Sequence, residues 1–158
     1  MSIRRRQLLN ASSAFTLAAL LRPRPAAAIE TGFCTPDDPL QKLMDGNRRF
    51  RSAWQAAKRD PEANLSRTDH LQRCFNPPLA LAEGQQPWAT VLTCSDSRVS
   101  PNWVFDTTPG ELFVIRSAGN TAFTEAVASI EYSVSVLNTP LVMVMGHSGC
   151  GAVQAAMN

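Results

Sequence analysis

The sequence contains no internal repeat and no low-complexity tract, which removes solenoid arrays and disordered linkers from consideration. Charge is sparse, at 18% of 158 residues, against 44% hydrophobic residues. That is the balance of one globular domain. No basic stripe interleaved with aromatics is present, so a nucleic-acid partner is a poor reading. The formal net charge of +2 misleads, because residues 1–28 hold five arginines and no acid. The remainder has 10 basic and 13 acidic residues, a balance of −3. The four cysteines show no C-x-x-C spacing, which argues against a redox dithiol.

The N-terminus also lacks something. From Gln7 to Leu21 there is no charged residue. Arg4-Arg5-Arg6 precede this stretch, and Arg22-Pro23-Arg24-Pro25 and Ala26-Ala27-Ala28 follow it. A basic head, a short apolar middle and small residues at an A-x-A site make an export signal. The middle is short for a membrane-spanning helix, which needs about 20 apolar residues. RRRQLL resembles a twin-arginine signal. Residues 1–28 are therefore expected to be removed. Residues 29–158 are expected to form the mature domain in a bacterial periplasm, free of the membrane. Cys34 and Cys74 can then pair, stay free or simply fill space; their spacing decides nothing.

Along the rest of the chain, Asp37-Asp38-Pro39 reads as a helix start. Leu40, Leu43, Met44, Asn47, Phe50 and Trp54 recur at helical spacing, with Arg48, Arg49 and Arg51 mostly on the wet side. This predicts an N-terminal helical arm of about 15–20 residues. Residues 58–76, with His70, read as polar and irregular, and a short helix over 78–83 follows. Ala89–Thr93, Glu111–Arg116 and Leu141–Met145 read as strands. Between them fall a helical turn over Pro101–Phe105 and a helix over Thr121–Leu137, with Val127, Ile130, Val134 and Leu137 on its inner face. Another helix begins at Cys150. Strands alternating with helices predict an α/β fold, a mostly parallel sheet covered on both faces. Sites in such sheets form at the carboxyl ends of the strands.

Two polar clusters occupy such ends. CSDSR (94–98) follows the first strand, and GHSGCG (146–151) follows the third. Cys94, His147 and Cys150 are thiol and imidazole ligands of the kind zinc takes, at about 2.3 and 2.0–2.1 Å. Glycines around Cys150 permit the tight turn that lets His147 and Cys150 face one ion. Cys150 at a helix N-terminus would be favoured as thiolate. Asp96 and Arg98 are suited to a bidentate ion pair. Either Arg98 holds Asp96 away from the metal and leaves a fourth position for water, or Asp96 completes a closed four-ligand site. A third reading makes the pair only a brace for the loop.

CSDSR, then PGELFVIRSAGN (109–120), then GHSGCGAV (146–153), resembles the β-class carbonic anhydrases. GNRRF (46–50) and EGQQPWATVLTCSDSRV (83–99) also look like that family, so the resemblance spans roughly residues 39–158. It implies zinc on Cys94, His147 and Cys150, with Asp96 as a fourth ligand only in a closed state. It implies Asp96 and Arg98 as a catalytic dyad. It also implies reversible hydration of carbon dioxide to bicarbonate and a proton by zinc-bound hydroxide, and a homodimer or higher homo-oligomer. The same site would also suit a hydrolase of carbonyl sulfide or carbon disulfide, or a non-catalytic zinc-binding protein. The sequence ends at Asn158, eight residues after Cys150, whereas the family pattern continues with a further strand and helices. The expectation is a C-terminally incomplete domain, poorly folded or weakly active alone.

Overall fold

The computed structural model describes residues 33–60 and 76–158. The export-signal reading of residues 1–28, His70 and Cys74 lie outside the described residues. The first helix, α1 (Pro39–Arg59), starts where the sequence placed it. The Asp38 carboxylate accepts from the Gln41 N–H at 2.9 Å, Pro39 occupies the first turn, and Lys58 and Arg59 sit at the carboxyl end. A short helix α2 (Pro78–Glu83) precedes β1 (Ala89–Cys94). Then come α3 (Pro101–Val104), β2 (Leu112–Ser117), a 3-10 turn at Ala118–Asn120, α4 (Thr124–Ser135), β3 (Val142–Met145) and α5 (Gly151–Ala156).

The three strands are parallel, as the alternating pattern predicted, and lie in the order β2-β1-β3. All six residues of the central strand β1 are buried, so its apolar and β-branched residues follow no inside–outside alternation. On one face Leu43 of α1, Trp88, Ala89, Val91 and Phe105 form the core, with Met143 and Met145 packed against it. On the other face lies α4. There the Thr90 hydroxyl donates to Ser133 Oγ at 2.8 Å, and the rings of Phe113 and Tyr132 meet at 6.1 Å.

Three expectations need correction. In α1 the inner stripe is narrower than predicted. Leu43 and Gly46 are buried, while Leu40, Met44 and Trp54 are exposed. The reason is a close approach: a Cβ on Gly46 would lie 1.7 Å from the Phe105 carbonyl oxygen, so the helix docks through its one residue without a side chain. That rotation also carries Arg49 inward, where its Nε donates to the buried Asp106 carboxylate at 2.6 Å. In α4 the inner positions are Ala126 and Ser133, and Val127 and Val134 are exposed. The helix turns its small side chains to the sheet, and the Thr90–Ser133 bond satisfies both buried hydroxyls there. Finally, the sheet is not covered evenly. Val142 and Val144 share the α4 face with Thr90 and Leu92, yet both are exposed because α4 packs over β2 and β1.

Candidate metal centre

From β1 the chain passes to β2 on one side, then crosses to β3 on the other. Strand order reverses at β1, and in sheets of this kind sites form there, at the carboxyl ends of the strands. Cys94 is the last residue of β1, and His147 and Cys150 follow β3. The structure brings all three together, their ligand atoms lying within 4.8 Å of one another. The two sulfurs are 3.8 Å apart. For two thiolates at about 2.3 Å from a tetrahedral zinc, the S···S edge is about 3.8 Å.

The local backbone explains the convergence. Gly149 has φ +63°, in the left-handed region, and it turns the loop so that Cys150 becomes the N-cap of α5. The His147 ring is oriented by its own loop. Its Nδ1 lies 3.1 Å from the Ser148 carbonyl, a contact in which nitrogen must carry the proton. Nε2 is then the bare nitrogen, and it is buried with no hydrogen-bond partner. A buried, unpaired ring nitrogen beside two thiols is a donor set that fits a zinc ion.

The electrostatics agree. The Cys94 thiol is brought down to about 6, first by His147, then by the backbone N–H groups of Asp96 and Gly119. The Gly119 N–H lies 3.3 Å from Cys94 Sγ. His147 is shifted upward, chiefly by Cys94. Each of these groups favours the charged form of the other, so a metal ion arriving here would meet Cys94 as thiolate and would displace the proton that Cys94 favours on His147 Nε2.

Asp96 and Arg98 form the fork that the sequence suggested. Arg98 Nε donates to Asp96 Oδ1 at 2.9 Å and Nη2 to Oδ2 at 2.6 Å, while the Arg98 backbone N–H donates to Oδ1 at 3.0 Å. Arg98 holds the Asp96 carboxyl well below the usual carboxylate range, and Asp96 in turn raises Arg98. Asp96 Oδ2 lies 3.9 Å from His147 Nε2. In this arrangement Asp96 sits beside the trio and is engaged by Arg98. Arg98 Nη2 also donates to the Gly149 carbonyl at 3.1 Å, which ties the loop after β1 to the loop after β3. Sequence reasoning did not single out that link, the Gly119 N–H or Arg116. Backbone donors and acceptors leave no trace in residue type, and Arg116 read as the end of a strand.

Residues 89–158 match the protein family described as carbonic anhydrase. Carbonic anhydrase 2 of Mycobacterium tuberculosis is 42% identical over 107 residues, covering 67% of this chain and 52% of that protein. The chloroplastic beta carbonic anhydrase 5 of Arabidopsis thaliana is 41% identical over 83 residues, covering 49% of this chain and 28% of that protein. The solved structure of a Coccomyxa beta-carbonic anhydrase in complex with acetazolamide is 30% identical, with a TM-score of 0.47 over 78% of this chain and 49% of that one. The chain spans about half the length of the first curated relatives it matches. Cys94, Asp96, Arg98, His147 and Cys150 all lie within residues 89–158, so the stretch that builds this site is the stretch that matches the carbonic anhydrase family.

Proposed function

We propose that the chain is a zinc-dependent β-class carbonic anhydrase that interconverts carbon dioxide and bicarbonate. The observation that carries this reading is the trio Cys94, His147 and Cys150 beside an ionised, Arg98-held Asp96 at the carboxyl ends of β1 and β3. Two sulfurs and one imidazole nitrogen would hold the zinc. A zinc ion with three protein ligands supplies a water activated near neutral pH.

The chain's own residues do the rest. The Ser148 carbonyl keeps the proton on His147 Nδ1 and leaves Nε2 free to ligate. The fork from Arg98 keeps Asp96 ionised, so its oxygens can only accept hydrogen bonds. Asp96 Oδ2, beside the trio, is placed to accept the hydrogen of the attacking oxygen and so orient its lone pair toward carbon dioxide. The Arg98 link to Gly149 keeps the two loops in register while this occurs.

We place the mature protein in the periplasm, exported by the twin-arginine route. RRRQLL and the Ala26–Ala28 run support this, as does Cys34, which is disulfide-bonded and so suits an oxidising compartment. Among the described residues no helix is long and apolar enough to cross a membrane. Exposed apolar side chains such as Phe123, Val136 and Val144 support a homo-oligomer.

The test is stopped-flow hydration of carbon dioxide by the zinc-loaded chain, before and after chelation and after zinc is restored. Activity that follows zinc is the expected result. Zinc bound without any hydration would leave a non-catalytic zinc protein. Turnover of carbonyl sulfide or carbon disulfide in place of carbon dioxide would move the substrate class.

A further inference from the structure

Arg116, near the end of β2, makes two bonds that neither the trio nor the Asp96–Arg98 fork accounts for. Its Nε donates to the Cys94 carbonyl at 3.0 Å, and its Nη2 donates to the Asp96 carbonyl at 2.6 Å. Both acceptors are backbone oxygens, one on a candidate ligand and one on the candidate acceptor. The pairing of β1 with β2 runs out at this point. Its last partners are Cys94 and Ser117, followed by one bond from the Ser95 N–H to the Ser117 carbonyl at 2.9 Å. Beyond it the chain turns away, and the Asp96 carbonyl also accepts from the Val99 N–H at 3.2 Å.

Apart from the guanidinium, a single backbone bond holds each of these peptides, from the Ser95 N–H to the Ser117 carbonyl and from the Val99 N–H to the Asp96 carbonyl, so each is less constrained than a peptide inside the ladder. Rotation of the peptides at Cys94 and Asp96 would swing the thiol and the carboxylate together. A planar guanidinium carries several donors in one rigid frame, so a single side chain can hold two carbonyls two residues apart. Being charged, it makes the stronger kind of hydrogen bond. Partners of this kind, one step removed from the ligand atoms, orient metal ligands.

We infer that Arg116 is a positioning residue for the metal centre: by clamping the carbonyls of Cys94 and Asp96 it fixes where the Cys94 thiol and the Asp96 carboxylate point. The inference rests on the reading of Cys94, His147 and Cys150 as metal ligands. It does not need the reaction to be carbon dioxide hydration.

The experiment uses the full chain loaded with cobalt(II), whose d–d and thiolate-to-metal bands report ligand geometry. Arg116→Ala is expected to lower cobalt affinity by about 10–100-fold and to shift those bands, with circular dichroism and thermal midpoint close to the parent. Arg116→Lys is expected to recover part of the affinity, because one ammonium can hold one carbonyl but does not reproduce the fork. Parental affinity and spectrum in Arg116→Ala overturn the inference. If Arg116→Ala does not fold, Arg116→Lys decides. A parental cobalt spectrum and affinity there overturn the inference, and altered bands on a folded protein support it. A parent chain that binds cobalt but hydrates no carbon dioxide removes the enzymatic reading and leaves this comparison intact. A parent that binds no cobalt removes the metal reading and this inference with it.

Discussion

Replacing Gly46 with alanine tests how the helical arm reaches the sheet. A helix gains about 1 kcal/mol when an interior glycine becomes alanine, so propensity alone predicts a more stable protein. The structure predicts the opposite. The new Cβ would lie 1.7 Å from the Phe105 carbonyl oxygen and 2.5 Å from its carbonyl carbon, atoms that cannot swing aside as a side chain can. Ordinary contact begins near 3.4 Å, so α1 and the end of α3 must separate by well over an ångström. That shift would strain the bond from Asn47 Nδ2 to the Val104 carbonyl, now 3.2 Å, and the Arg49–Asp106 pair. Overpacking of this kind costs about 1–3 kcal/mol and more where backbone is the obstacle. The backbone obstacle puts this site at the upper end of that range, so after the helix gain the net loss is about 2 kcal/mol. For a chain of this size that lowers the thermal midpoint by roughly 4–8 °C. Gly84→Ala is the control, since nothing lies within 4 Å of its Cβ position, and it should move the midpoint little. Thermal denaturation of the three proteins decides. A Gly46→Ala midpoint at or above the parent's would refute the close-approach argument.

Asp96→Asn should retain zinc at the parental stoichiometry yet lose about 100-fold or more in kcat/KM for hydration, because the neutral amide is a weaker, differently oriented acceptor; metal analysis beside stopped-flow rates checks both halves. His147→Ala removes the buried, unpaired Nε2 from the donor set and should lower zinc content, read by metal analysis after dialysis against a mild chelator. Acid stability offers a separate check. Arg98 depresses the folded-state pKa of Asp96, so this carboxylate contributes stability that is complete above its unfolded value of about 3.9 and is lost as pH falls through the lower folded value. Urea midpoints measured from pH 5 down to pH 2 should therefore fall more steeply in the parent than in Asp96→Asn; parallel slopes would count against the pairing.

The strands were legible because β1 is buried on both faces and so carries a continuous run of apolar and β-branched residues, ATVLTC, bounded by Pro87 upstream and a polar loop downstream. The start of α1 was legible from Asp38 and Pro39, since capping is a local interaction. Helix rotation was not. Leu40, Met44 and Val127 fit an amphipathic stripe as well as Leu43 and Ala126 do, and periodicity cannot tell which flank of a stripe meets the neighbour. Gly46 and the Thr90–Ser133 bond settled that choice, and both are contacts between residues far apart in sequence. Within the site, the sequence suggested the ligand types and the Asp96–Arg98 fork. It said nothing of the carbonyls and N–H groups that hold them.

Residue chemistry and local spacing were enough, by themselves, to propose two sulfurs, a ring nitrogen and an ion pair at strand ends, because ligand identity and strand periodicity are written in side chains. Only the tertiary structure decided that those groups converge, with the sulfurs 3.8 Å apart. It also decided that Arg98 bridges two loops and that Arg116 grips the backbone beneath them. Such contacts depend on strand order and helix rotation, and those emerge only when distant segments pack against one another.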